Sequence, residues 1–198
     1  VFNALTHDIK HVYKESEITS IKKYTSHFVL ETKNASYEAK NIILNSTVYD
    51  SAELFTDGEV KNYYKKYDKL NNHQSSFMLY MTLQTDEVLE HHYQIIQKEI
   101  YPYSFSKALF VSVSDVNDNT IVPEGHYSIT ASIHTDIRFW EDQTTYNEQK
   151  SELHDILQEI ILTTLNIDES KVVHSFSASP RTFKCFINRD QLGGNAIT

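Results

Sequence analysis

Apolar residues recur along this chain in two rhythms, and the changes of rhythm predict most of its elements. Phe2, Leu5, Ile9 and Val12 are spaced three or four apart, which predicts an amphipathic helix over residues 2–14. After Lys14-Glu15-Ser16 the pattern shifts to short extended runs, Glu17 to Lys23, His27 to Thr32 and Ser36 to Lys40, separated by polar turns. The run Ile42-Ile43-Leu44, inside Asn41 to Asn45, predicts a buried strand that closes this meander. Residues 48–70 carry Leu54-Phe55, an Asp57-Gly58 turn and the series Tyr63, Tyr64, Tyr67, Leu70, and predict two short helices.

Ser75 to Leu83 predicts a strand buried on at least one face, followed by strands at His92 to Gln97, Ala108 to Ser114 and His126 to His134. In the last of these, Tyr127, Ile129, Ala131 and Ile133 point one way, and His126, Ser128, Thr130, Ser132 and His134 the other. The stripe Leu153, Ile156, Leu157, Ile160, Ile161, Leu165 predicts a helix from Tyr146 to Leu165 lying across the sheet, with Thr145 and Glu148 as a capping box. Val172 to Ser177 is a closing strand. The order predicts an α+β fold: a mixed, largely antiparallel sheet with helices packed on one face, preceded by a small β meander.

Composition narrows the function. The chain has 40% apolar and 12% aromatic residues, enough for a real core, and a formal charge of −9. No basic cluster exceeds Lys22-Lys23 or Lys65-Lys66, which argues against nucleic acid as a partner. The lone Cys185 excludes an internal disulfide and a cysteine-based zinc site, and fits a reducing, cytoplasmic address. No apolar run reaches membrane-spanning length, and no signal peptide is evident. Four glycines leave Gly58 and Gly125 isolated and Gly193-Gly194 paired, so nothing here forms a Rossmann phosphate turn.

The titratable residues give weak chemistry. His7 and His11 are spaced for zinc if helical, yet no third ligand lies nearby, and an exposed helical face explains them equally. His91 and His92 point to opposite faces of a strand, and His126 and His134 lie roughly 26 Å apart along one. No Gly-x-Ser-x-Gly elbow is present. Cys185, beside Phe183 and Phe186, reads as a small buried thiol. Asp115, Asp118 and Asn119 lack the glycine and glutamate of a calcium loop and read as a turn. Tyr63, Tyr64 and Tyr67 read as a packed helix face, or as part of an apolar ligand channel.

Several segments, in order, resemble the phytoene desaturase, carotene isomerase and retinol saturase-like branch of the FAD-dependent amine oxidase superfamily. Glu17-Ile-Thr-Ser-Ile21 resembles its a-x-V-x-x-I strand, and Ala39-Lys-Asn-Ile-Ile-Leu-Asn-Ser46 its A-D-x-V-I-x-N-A strand. Ser75-Ser-Phe-Met-Leu-Tyr80 resembles S-x-F-x-x-Y/F, Leu89 to Ile95 its x-H-x-I strand, and Val122 to Ile129 its A-P-x-G-x-x-x-L turn. Pro180-Arg-Thr-Phe-Lys-Cys-Phe, running on to Gly193-Gly194, resembles a P-x-T-F-E-x-Y/F run that ends in a glycine pair, with Lys184 where glutamate is common.

The resemblance implies residues 1–47 as the remnant of an FAD-binding domain and 48–198 as a substrate-binding domain, both cut from a longer protein. Ile18 and Asn45 would lie on the adenine side of FAD; Pro180, Thr182, Phe183, Gly193 and Gly194 would lie near substrate. It implies hydride exchange between the flavin and a carotenoid-like, retinoid-like or other apolar substrate. FAD is expected in the full-length protein, but not to bind stably to this piece alone, and peripheral membrane contact is expected. Two readings remain beside it: a non-enzymatic binding domain for an apolar ligand or protein partner, and a metal-dependent enzyme using the histidines.

Overall fold

The structure is a computed structural model that describes residues 7, 9–46, 48–67, 73–187 and 189–191. The chain divides into two compact units, Val1–Asn71 and Asn72–Thr198.

In the first unit, β1 (Ile18–Lys23), β2 (Phe28–Thr32) and β3 (Ser36–Ala39) form an antiparallel meander in that order. The second turn is held by Thr32, whose hydroxyl oxygen accepts from the amides of Asn34 and Ala35. Two helices follow, α1 (Val48–Leu54) and α2 (Gly58–Lys65). Asp57 caps α2 by accepting from the amides of Glu59 at 2.9 Å and Val60 at 3.1 Å, which is what the Asp57-Gly58 pair does here. Phe55 returns to β1, bridging Ile21. These two are the buried apolar side chains among the described residues of this unit.

The predicted helix over 2–14 is not found where it can be seen. Residues 2–6 and 8 lie outside the described residues, and 9–14 are irregular, with Ile9 and Val12 exposed. A helical stripe is stabilised only where it packs on a surface, and Ile9 and Val12 do not. The predicted strand at Ile42-Ile43-Leu44 is also absent: the segment is irregular and Ile43 is 96% exposed. An apolar run becomes a strand only where another strand satisfies its backbone.

The second unit is a five-stranded antiparallel sheet in the order β5-β6-β7-β4-β8, built from β4 (Gln74–Gln84), β5 (His92–Ile96), β6 (Ala108–Val113), β7 (His126–Asp136) and β8 (Val172–Ala178). Odd-numbered residues of β4, β6 and β7, among them Phe77, Leu79, Leu109, Val111, Ile129 and Ile133, make one buried face. Against it packs α3 (Tyr146–Leu165) through Leu153, Leu157 and Ile161. The α+β class and the antiparallel sheet agree with the sequence pattern.

The capping box at Thr145 and Glu148 does not form. Thr145 itself has helical dihedrals (φ −101°, ψ −12°) and makes no side-chain cap; the turn before it is organised by Asp142, whose carboxylate accepts from the Thr144 amide and hydroxyl at 2.8 Å. Asn166 ends the helix in the left-handed region (φ 54°), and the Ile167 amide bonds back to the Leu162 carbonyl. Beyond β8 a further helix, α4 (Pro180–Ile187), carries Cys185, which is exposed; the buried-thiol reading is corrected, because Cys185 falls on the outer side of that helix.

Candidate functional site: the open face of the five-stranded sheet

With odd positions in the core, the even positions of β4 and β7 turn the other way, and register shows what stands beside them. One row across all five strands reads Gln94, Phe110, Ser132, Met78, Ala178; the next reads His92, Ser112, Thr130, Tyr80, Phe176. Beyond them come Ser128, Thr82 and His174, then His126 and Gln84; on the other side lie Ser76 and His134. None of these is Asp, Glu, Lys or Arg, although 23% of the chain is charged. The first charged residue on this face is Asp136 at the very end of β7. There it accepts hydrogen bonds from the Arg138 amide and guanidinium, which hold its carboxyl below the usual carboxylate range.

The face is half-buried along β4 from Ser76 to Thr82 and along β7 from His126 to Ser132, and exposed on either side, at His92, Phe110 and Ser112 and at His174 and Phe176. Tyr80 stacks on Phe176 across β4 and β8 with ring centres 4.9 Å apart, and His174 leans on Phe176 at 5.5 Å. The His92 ring meets the Ser112 hydroxyl at 3.4 Å, and His134 stacks at 6.4 Å on Phe105. The chemistry available is dispersion, ring stacking and hydroxyl or imidazole hydrogen bonding. Carboxylates gather elsewhere: Asp155, Glu159, Asp168 and Glu169 line a depression around the C-terminal end of α3, which packs on the core face.

At the edge of the sheet β8 runs directly into α4, and the Pro180 segment turns out to start a helix whose first turn meets α3 of the core side. Ser179 is fully buried; its amide donates to the Thr182 hydroxyl oxygen at 3.1 Å, and the Thr182 amide donates to the Ser179 hydroxyl oxygen at 3.4 Å. This is a reciprocal cap, with proline at the first helical position, where its missing N–H costs nothing. The Tyr146 hydroxyl bonds Ser179 at 2.8 Å, and Arg181 lies 4.9 Å over its ring, so the starts of α3 and α4 are tied together.

Of the residues marked from sequence, Pro180, Thr182 and half-buried Phe183 stand together at this edge. Gly193 and Gly194 lie outside the described residues. Ile18 opens β1 opposite Thr32, and Asn45 is exposed in the irregular stretch after β3; both belong to the first unit. His11 sits in irregular chain rather than on a helical turn, and among the described residues no group of three or more His, Cys, Asp or Glu is placed to hold a metal ion.

No protein-family profile and no curated protein matches the sequence. Solved structures do match it in three dimensions. A reduced UDP-galactopyranose mutase superposes with a TM-score of 0.59 at 10% identity, covering 89% of this chain and 37% of that one. A CLA-producing fatty acid isomerase from P. acnes gives 0.54 at 11% identity, covering 89% and 38%. An oxidoreductase from Methanosarcina mazei gives 0.50 at 18% identity, covering 82% and 36%. The chain has the fold of part of these proteins. It spans little more than a third of their length.

Sequence reasoning read the alternation of β7 but missed the charge-free face, because that face is assembled from strands distant in sequence. The available signal was the absence of charge at even positions from Ser76 to Gln84 and from His126 to His134. Among the described residues no helix is long and apolar enough to cross a membrane.

Proposed function

We propose that this chain is the substrate-facing part of an FAD-dependent oxidoreductase of the phytoene desaturase-like branch, with its open sheet face covering an apolar, carotenoid-like or retinoid-like substrate. The observation that carries this reading is a sheet face without formal charge from Ser76 to Gln84 and from His126 to His134, half-buried along its two longest strands, on a fold shared with part of larger proteins, one of them an oxidoreductase by name and another a fatty acid isomerase. The ordered sequence resemblance supports the same reading.

The described residues do not form a phosphate cradle for FAD. Gly58 begins α2 beside the capping Asp57, Gly125 is a turn residue with φ +74°, and both sheets are antiparallel, with no strand-turn-helix unit of the dinucleotide-binding kind. The pyrophosphate would be held by polypeptide outside this chain, with the Ile18 backbone and Asn45 on the adenine side. When bound, the flavin would supply hydride exchange with a carbon centre. The part left to these residues is placement: the sheet face would exclude water and orient the substrate, with Pro180, Thr182 and Phe183 near it and, as the resemblance implies, Gly193 and Gly194 beyond them. Exposed Phe186 and Ile187 on α4, beside Lys184, support peripheral contact with a membrane surface in a cytoplasmic protein.

A second reading is a non-enzymatic domain that binds an apolar ligand, which the uncharged stretch of the sheet face with its Tyr80–Phe176 ring pair suits equally. Visible absorption and flavin fluorescence of the full-length parent protein separate the two. A yellow parent with a colourless 198-residue chain is expected; a parent that refuses added FAD ends the enzyme reading.

A further inference from the structure

Where α3 meets the start of α4, the polar side chains are cations and hydroxyls. Tyr146, Lys150 and His154 recur every four residues, so one face of α3 looks toward β8 and α4. The Tyr146 hydroxyl meets Ser179 at 2.8 Å, Lys150 Nζ donates to the Thr182 hydroxyl oxygen at 3.5 Å, and the His154 ring meets the Ser175 hydroxyl at 3.2 Å. The Arg181 guanidinium carbon stands 4.9 Å from the centre of the Tyr146 ring and Lys150 Nζ 6.0 Å from the same centre, so two half-buried cations share one ring. Acidic residues outnumber basic ones by 27 to 18, yet neither of these cations forms an ion pair with a described carboxylate. Lys184, on the next turn of α4, does have such a partner, Asp190 at 3.9 Å. The Arg181 guanidinium donates to no described acceptor, and Lys150 donates to Thr182 alone. Capping of α4 does not need either charge, because Ser179 and Thr182 supply it.

We propose that Lys150 and Arg181 together bind a phosphate-class dianion at the junction of α3 and α4. A planar guanidinium offers a fork of N–H groups to two oxygens of a tetrahedral anion, and an ammonium adds a compact charge beside it. A dianion balances both cations, whereas a carboxylate balances one. Two cations on a chain of formal charge −9 are too few to hold a nucleic-acid strand. The junction lies with α3 on the core side of the sheet. The site therefore stands apart from the open face, and it does not depend on whether the parent protein carries a flavin.

The test titrates inorganic phosphate into the 198-residue chain at about pH 8, where the dianion dominates, with ionic strength held constant by sodium chloride. Binding is read by phosphorus NMR line broadening and by Tm from the emission of Trp140, whose ring lies 6.4 Å from that of Tyr146. Half-saturation on the order of 1 mM or below is expected, with Tm rising as phosphate is added. Lys150→Gln and Arg181→Gln should each weaken binding about tenfold or more, and Arg181→Lys, which keeps the charge without the fork, should fall between. Lys171→Gln removes the same charge at an exposed position before β8 and should bind like the parent. In chloride alone Lys150→Gln should melt within about 2 °C of the parent, so that lost folding cannot account for lost binding. Vesicles of phosphatidylcholine with phosphatidate separate two sources of the anion. Sedimentation of the parent but not of Arg181→Gln, reversed by phosphate, assigns a lipid headgroup; phosphate binding without sedimentation assigns a soluble phosphate. No broadening by a chain with native Trp140 emission, an equal effect from chloride, or equal binding by the parent and both glutamine variants overturns the proposal.

Discussion

Replacing Thr135 by valine should destabilise the larger unit out of proportion to the single atom removed. Trp140 is 2% exposed, and its indole N–H donates to the Thr135 hydroxyl oxygen at 2.8 Å, while that hydroxyl donates onward to the Tyr103 carbonyl. The indole also stacks on Phe77 at 5.2 Å and meets Tyr103 edge-on at 6.0 Å, so it has no room to turn toward water. Valine keeps the shape at residue 135 and removes both bonds. A buried donor left without an acceptor costs about 1–3 kcal/mol. For a unit of this size that corresponds to a fall in Tm of roughly 4–12 °C. Trp140 is the only tryptophan, so its emission on heating follows this unit and nothing else in the chain. A valine variant melting within about 1 °C of the parent would refute the reasoning. Tyr103→Phe is the matched control: it loses only the exposed bond from the Tyr103 hydroxyl to Glu152, and should stay within about 0.5 kcal/mol of the parent.

Half-buried His154 on α3 meets the Ser175 hydroxyl of β8 at 3.2 Å, and burial pushes its pKa down, against the opposing effect of Asp155 and with a smaller contribution from Lys150. A histidine depressed on folding gives stability that is complete above about pH 6.5 and is lost as pH falls through the folded value. Melts between pH 7.5 and 5 should therefore fall more steeply for the parent than for His154→Gln, and parallel curves would contradict this. Ser179→Ala should cost about 0.5–2 kcal/mol by removing the cap of α4, and hydrogen exchange should quicken first at the amides of Thr182 and Phe183. Leu157→Ala, at a fully buried helix position, should cost about 2–5 kcal/mol, whereas Ile43→Ser should change denaturant midpoints by no more than about 0.5 kcal/mol, since Ile43 is already in water.

The strands and the long helix were legible because each is recorded in its own residues. Odd positions from Phe77 to Leu83 and from Tyr127 to Ile133 are apolar whatever they pair with, and the stripe from Leu153 to Ile161 needs only a helix to become a face. The misread segments are those whose state depends on something elsewhere. Ile42-Ile43-Leu44 has the composition of a buried strand, but burial needs a neighbouring strand, and the meander ends at β3. The uncharged stretch of the open face needs the order β5-β6-β7-β4-β8, because that order sets Thr130 between Tyr80 and Ser112.

Capping shows the same limit at shorter range. Thr145 and Glu148 match the sequence rule for a capping box, yet Thr145 already has helical dihedrals and cannot act as one; Ser179 and Thr182 form the reciprocal bonds without a glutamate. The Pro-x-Thr run is therefore sufficient, on local grounds, to start α4 where β8 leaves the sheet, and it needs no ligand to do so. The bonds that start the helix also fix where the chain leaves the sheet, because Ser179 is at once the residue after β8 and the cap of α4. That much can be read within four residues of sequence, whereas the uncharged character of the even positions beside β7 needs four strands in register before it becomes a surface.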